Sequence, residues 1–174
     1  MITRLLLILC LAGVTAHICA AQDEQWQKFM APDNTCSALF PVAPTKQQSV
    51  KDSVVGKTVT DIWLVKDGEA VYLLGITDYP VDIEEQRELD LDRDNFLKQV
   101  QAKLVTESET TLRNHRGREF IGASTTYTFR SRVFVIGPRR VYQIVVGQPT
   151  ANLDASAIDK FLSSFALLDS GGHQ

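Results

Sequence analysis

Alternating apolar and polar residues fill most of the chain, and one long segment of helical periodicity interrupts them. Apolar-polar alternation in segments that are bounded by turn residues predicts antiparallel strands. The clearest turn is Asp67-Gly68, because both residues tolerate the positive φ that a two-residue hairpin requires. Gly137-Pro138 predicts a second hairpin turn. Strands are predicted at 26–30, 35–40, 57–65, 69–77, 105–112, 118–123, 125–136 and 141–146.

Two segments change period and predict helices. From Ile83 to Leu104 apolar residues recur at helical spacing, and acidic residues crowd toward the start, where the helix dipole favours them. A shorter helix begins at Asp154 or Ala155 and carries Phe161 and Phe165 on its apolar side. Because strands dominate and two helices lie between and after them, the sequence predicts an α+β fold rather than a regular βαβ chain.

The first 21 residues are typical of a secretory signal peptide. Arg4 provides the basic start, residues 5–16 form an apolar run too short to cross a bilayer, and Cys19 and Ala21 are the small residues that signal peptidase needs. The alternatives are an N-terminal core helix and a lipoprotein signal, and the bulky residues before Cys19 disfavour the second. We therefore expect an exported protein, periplasmic or secreted, with no membrane span after signal removal. Its single domain would cover 22–170, followed by a flexible tail at 171–174.

Removal of the signal peptide leaves Cys36 as the only thiol of the processed chain. An intramolecular disulfide and a paired-cysteine metal or redox site are then excluded. Cys36 alternates with Ala38 and Phe40 on one face of a predicted strand. We therefore expect a buried thiol that packs as a small apolar side chain.

Several segments together resemble exported bacterial proteins of the PsbP-like type, over nearly the whole processed chain. The matching segments are 26–44 with its Trp, Phe and Pro residues, HRGREF at 115–120, RVFVIG at 132–137, RVYQI at 140–144 and KFLSSF at 160–165. The resemblance implies an α/β/α sandwich: a central antiparallel sheet flanked by the long mid-chain helix and the short C-terminal helix. The extrinsic photosystem II subunit and a Ran-binding nuclear import factor share this fold, but no motif carries their functions here.

The common catalytic and metal-binding motifs are incomplete in this chain. The acids at 90, 92 and 94 imitate the first half of an EF-hand loop, but Asn95 and Gln101 replace the required Gly and Glu. Ser124 lacks the second glycine of a nucleophile elbow, and the two histidines of the processed chain lack zinc-ligand spacing. Isolated glycines form no phosphate loop. The sequence therefore predicts no catalytic motif, no metal and no cofactor.

Charge is unevenly distributed along a chain whose formal net charge is only −3. Such a mildly acidic chain is not expected to bind nucleic acid. Acids dominate residues 82–94, whereas residues 113–140 hold seven arginines and one acid, Glu119. Arginine suits carboxylate or phosphate, so a patch could bind an anionic ligand or an envelope partner. The alternative is that these arginines pair with the acidic helix or are simply solvated. The predicted anion-binding residues are Arg116, Arg118, Arg130 and Arg132.

Three functional hypotheses follow from these patterns. The preferred one is an exported, non-catalytic binding or assembly module that contacts an anionic ligand or an envelope protein. The second is an enzyme or accessory subunit acting on a small exported substrate, with His115, Arg116 and Glu119 as its compact polar cluster. The third is a structural or stress protein. The Arg139-Arg140 turn is a further candidate contact.

Overall fold

The computed structural model describes residues 26–169. The predicted signal peptide at 1–21 and the predicted tail at 171–174 lie outside these residues. Within the described range the chain forms ten strands and two helices. In chain order they are β1 (Gln27–Met30), β2 (Cys36–Phe40), β3 (Thr45–Ser53), β4 (Gly56–Asp67), β5 (Ala70–Asp78), α1 (Glu85–Gln99), β6 (Lys103–Leu112), β7 (His115–Ala123), β8 (Tyr127–Val135), β9 (Arg140–Pro149), α2 (Ala155–Ser164) and β10 (Ala166–Leu167).

The strands form two antiparallel sheets. Seven of them pair in the order β3-β4-β5-β9-β8-β7-β6, and the other three pair as β1-β2-β10. The predicted β4-β5 hairpin is confirmed, but its two-residue turn is Gly68-Glu69 and not Asp67-Gly68. Asp67 is the last residue of β4 and pairs with Ala70, and Gly68 has the positive φ of 55° that glycine adopts without strain. Two long hairpins, β4-β5 and β8-β9, thus meet along β5 and β9 in the middle of the large sheet.

Each face of the large sheet has its own apolar core. On one face, Tyr72, Phe134 and Tyr142 pack with Phe161 of α2 and Phe40 of the small sheet. On the other face, α1 contacts β6, β7 and β8 and buries a smaller cluster. That cluster consists of Leu89, Leu97, Phe120, Val133, Val135 and Val141.

The predicted fold class and α/β/α sandwich are wrong. The described residues are mostly β, with 55% in strands and 17% in helices, and they form two antiparallel sheets. The mid-chain helix is shorter than the predicted 83–104, because Gln101 leaves the helix with a φ of 54° and Leu104 already belongs to β6. It covers only the β6 to β8 end of one face. The opposite face is covered by the small sheet together with α2.

The acidic residues 90, 92 and 94 lie in the middle of α1, where no EF-hand loop exists. The helix begins at Glu85, and the Glu84 carboxylate caps it by accepting hydrogen bonds from the backbone N–H groups of Gln86 and Arg87. The cap is therefore Glu84 and none of these three acids. At the second helix the predicted start is confirmed, because Asp154 caps α2 through the Ala157 N–H.

Between residues 26 and 169, no helix combines the length and the apolar character that a membrane span requires. In the same range, no group of three or more His, Cys, Asp or Glu side chains is arranged to hold a metal ion.

Candidate functional site

Two of the four predicted anion-binding residues, Arg130 and Arg132, lie side by side on β8, on the sheet face covered by α2. Both donate hydrogen bonds to the carboxylate of Glu119 on β7, each at 2.7 Å. Arg130 also binds Asp159 of α2 at 2.8 Å, and Arg132 donates to the Leu162 carbonyl at 3.1 Å. These guanidinium groups join α2 to the sheet, so their charge is already matched within the protein.

Burial would raise the pKa of Glu119, but the hydrogen bonds and charges of Arg132 and Arg130 outweigh burial and lower that pKa. The Glu119 side chain is only 18% exposed, whereas the two arginines are 26–31% exposed. The Glu119 carboxylate is therefore negatively charged at neutral pH. The expected alternative, pairing with the acidic mid-chain helix, does not describe these two arginines, because their carboxylate partners lie on β7 and α2.

The other two predicted residues, Arg116 and Arg118, lie on the opposite face of the large sheet, beside α1. Arg118 binds Asp90 of α1 and approaches Glu107 of β6 at 3.2 Å. Arg116 is 72% exposed, and its nearest carboxylate is Glu109 at 3.9 Å. The structure therefore divides the four arginines between two faces and does not bring them into one patch.

The polar cluster expected for an enzyme is also divided. His115 and Glu119 lie on one face of β7 and Arg116 on the other, because successive side chains of a strand alternate. Four residues along a strand separate His115 from Glu119 by about 13 Å. Glu119 is in addition fully engaged by two arginines. His115, Arg116 and Glu119 do not form a site together.

His115 instead lines a cavity of about 320 Å³, which we call the His115 cavity. It lies where one end of the large sheet meets the small sheet, since β7 and β9 both begin there and β10 runs alongside β2. The cavity is lined by Thr35, Arg113, His115, Ile136, Arg140, Tyr142, Leu167, Leu168 and Asp169.

Arg140 is the most firmly held cation of the His115 cavity. Its guanidinium group binds both carboxylate oxygens of Asp78, at 2.5 and 2.9 Å, and Asp33 at 2.7 Å. The hydrogen bonds that Arg140 donates to Asp78 raise the pKa of Arg140, although burial opposes this shift. Burial alone would raise the pKa of Asp33, but hydrogen bonds from Thr35 and Arg140 outweigh it and lower that pKa. Arg140 thus ties β9 to β5 and to the β1-β2 turn.

The contacts of Arg113 are more exposed to solvent than those of Arg140. It lies in the β6-β7 turn with a φ of 53°. One arm, Nη2, donates to the Leu167 carbonyl at 2.6 Å, and the other, Nη1, binds the Asp169 carboxylate at 2.6 Å. The Arg113 side chain is 49% exposed and that of Asp169 is 88% exposed. This ion pair is therefore formed in solvent.

The two ring side chains of the cavity differ in their contacts. Among residues 26–169, no hydrogen bond or ion pair holds the imidazole of His115. Tyr142 is buried, and this burial raises the pKa of its hydroxyl against the opposing effect of Thr35 and Arg140. His115 therefore brings a free hydrogen-bonding ring to the cavity, and Tyr142 is a neutral part of its wall.

Cys36 lies close to the cavity but is not a nucleophile. Its side chain is fully buried, as the sequence predicts. Burial, assisted by the negative charge of Asp33, raises the pKa of the thiol to about 12. Cys36 is therefore a protonated packing residue at neutral pH.

The cavity-lining arginines were not among the predicted binding residues. In the sequence, Arg113 is part of a charged segment, and Arg140 is a candidate contact in an exposed turn. The exposed arginine of that turn is Arg139, whose side chain is 58% exposed. The signal that points to this end of the sheet is topological. The predicted turn at 114–117 overlaps the start of β7, and the one at 137–138 precedes β9. Both strands start at the same end of the sheet.

Comparison with known proteins does not place this site in a family. Neither a scan against protein-family models nor a search of curated proteins finds a match for the chain. The resemblance to PsbP-like proteins thus stays a prediction.

Proposed function

We propose that the protein is exported and acts as a non-catalytic binding module for a small anionic ligand, which it holds in the His115 cavity. The observation that carries the proposal is the convergence of Arg113 and the unpartnered His115 on one cavity of about 320 Å³. Cavities of this size, with a few polar groups at fixed positions, are typical of small-molecule sites.

The lining divides into a polar side and an apolar side. Arg113 and His115 offer hydrogen-bond donors, and Ile136, Leu167 and Leu168 form the apolar wall. A ligand with a negatively charged head and an apolar body would match both sides. The four arginines predicted from the sequence support the proposal less well, since carboxylates of the protein already hold three of them closely.

Binding is favoured over catalysis by the groups in the cavity and next to it. The thiol of Cys36 is protonated, and the Thr35 hydroxyl donates to Asp33 at 2.8 Å. A nucleophile needs a base that takes its proton. Neither group is paired with His115, so the enzyme hypothesis loses its expected cluster and gains no nucleophile here.

The proposal is tested by titration of the purified protein with hexanoate and, separately, with inorganic phosphate. Binding is followed through the ring resonances of His115 in NMR spectra. We expect a saturable shift at His115 with at least one probe. Arg113→Gln should weaken the binding about ten-fold, the loss expected for one charge-assisted hydrogen bond.

The matched control is Arg116→Gln, which removes an exposed arginine from the opposite sheet face. It should leave the affinity unchanged. If neither probe moves the His115 resonances, or if both arginine variants weaken binding equally, the proposed function is wrong.

A further inference from the structure

The ion pair between Arg113 and Asp169 has the geometry of a bound carboxylate. Nη2 of Arg113 is fixed by the backbone carbonyl of Leu167 at 2.6 Å, and this contact sets the direction of the guanidinium plane. Nη1 then points to the Asp169 carboxylate at 2.6 Å, at the edge of the His115 cavity. One arm of Arg113 is thus anchored to the main chain, and the other arm holds an anion.

An incoming anion can displace the Asp169 carboxylate from Arg113, whereas it cannot displace the carboxylates that Arg140 binds. Asp169 is 88% exposed and makes one contact with Arg113, and exposed pairs of this kind contribute little to stability. Arg140 donates three hydrogen bonds to two carboxylates, and its own side chain is only 28% exposed. Among the described lining residues, Arg113 is therefore the cation whose carboxylate partner an incoming anion can replace.

We propose that Asp169 occupies the position of the ligand carboxylate at Arg113 and competes with the ligand for it. This inference rests on the proposed function. The ligand is then a monocarboxylate with a short apolar chain. Its carboxylate replaces that of Asp169, and its chain lies against Ile136 and Leu168.

A dianion fits the same position less well. A single exchangeable guanidinium group neutralises one negative charge. The second charge of a phosphate dianion would lie at the end of the sheet where Asp33 and Asp78 already hold Arg140. Hence a monocarboxylate is favoured over phosphate.

The test compares the wild type with Asp169→Asn in titrations with hexanoate, its uncharged analogue hexanamide, and inorganic phosphate. Asp169→Asn removes the competing charge, so we expect three- to ten-fold tighter binding of hexanoate and no gain for hexanamide. Asp52→Asn, which changes an exposed acid on the β3-β4 hairpin, is the control and should leave all affinities unchanged.

The outcomes separate this inference from the proposed function. If hexanoate binds the wild type and Asp169→Asn with equal affinity, the inference that Asp169 competes with the ligand is wrong. The proposed binding site is then still supported. If phosphate binds Asp169→Asn more tightly than hexanoate does, the ligand class is wrong. If neither protein binds any probe, the proposed function itself is overturned.

Discussion

At the scale of single residues, Asp92 is an acid whose surroundings oppose its charge. It lies on α1 one helical turn from Glu88, which accepts a hydrogen bond from the Tyr79 hydroxyl. Burial, followed by the negative charge of Glu88, raises the pKa of Asp92 to about 7, although Lys51 of β3 opposes the shift. The folded protein therefore keeps a proton that the unfolded chain releases near pH 3.8.

This raised pKa predicts a pH-dependent stability. Asp92 contributes its full stabilisation below about pH 4, and that stabilisation is lost as the pH rises through 7, since the folded state binds more protons in this interval. We expect the free energy of unfolding to fall by about 2 kcal/mol between pH 5 and pH 8. Asp92→Asn should remove most of this fall and be more stable than the wild type at pH 8.

Urea unfolding at a series of pH values measures the effect. The matched control is Asp94→Asn on the same helix, where the side chain is 64% exposed and pairs with Arg93. This variant should keep the wild-type pH dependence. An identical slope in the wild type and in Asp92→Asn would contradict the prediction.

At the scale of elements, local signals predicted most strands and missed two, β3 and the two-residue β10. The β4-β5 hairpin and the Asp154 cap are decided by neighbouring residues, so the sequence alone located both, although the hairpin turn lies one residue later than predicted. The strand β3 was not predicted, because it is an exposed edge strand whose pairing with β4 leaves no alternating apolar face. Its residues TKQQSVKDS are mostly polar, as suits an edge strand that must not pair with other chains.

The attachment of α2 to the large sheet predicts the consequence of losing one charge. In Glu119→Gln, Arg130 and Arg132 would stay side by side without the carboxylate that both bind. Breaking such a shared pair is destabilising, and since the groups are partly exposed we expect about 1–2 kcal/mol from urea unfolding. The control Glu109→Gln removes an acid that is 81% exposed and should change stability by less than about 0.5 kcal/mol. Equal stability of Glu119→Gln and wild type would show that these ion pairs do not hold the helix.

At the scale of the whole molecule, the arrangement of the two sheets and two helices in layers could not be predicted from the sequence. Nothing in the local pattern of residues 26–40 shows that β1 and β2 leave the large sheet and pair with β10 across more than a hundred residues of chain. The His115 cavity has the same origin. Its lining comes from residues as far apart as Thr35 and Asp169, so neither spacing nor composition assembles it.

Arg140 joins the two sheets near this cavity, as Arg113 also does through the Leu167 carbonyl, and it carries a prediction for the whole fold. Its bonds to Asp78 and Asp33 connect the large sheet to the β1-β2 turn. Without them the small sheet should open more often, since local opening follows the contacts that hold each unit. We expect Arg140→Gln to lose about 2 kcal/mol of stability and amide protection in β1 and β2.

Hydrogen exchange followed by mass spectrometry measures this opening strand by strand. The neighbouring Arg139→Gln is the control, because Arg139 pairs only with Asp82 in an ion pair whose members are 58% and 68% exposed. It should leave exchange in β1 and β2 at the wild-type rate. If the two variants exchange equally, the small sheet is held by its apolar core with Phe161 rather than by Arg140. If only Arg140→Gln opens, the ion pairs of Arg140 contribute to holding the two sheets together at the walls of the His115 cavity.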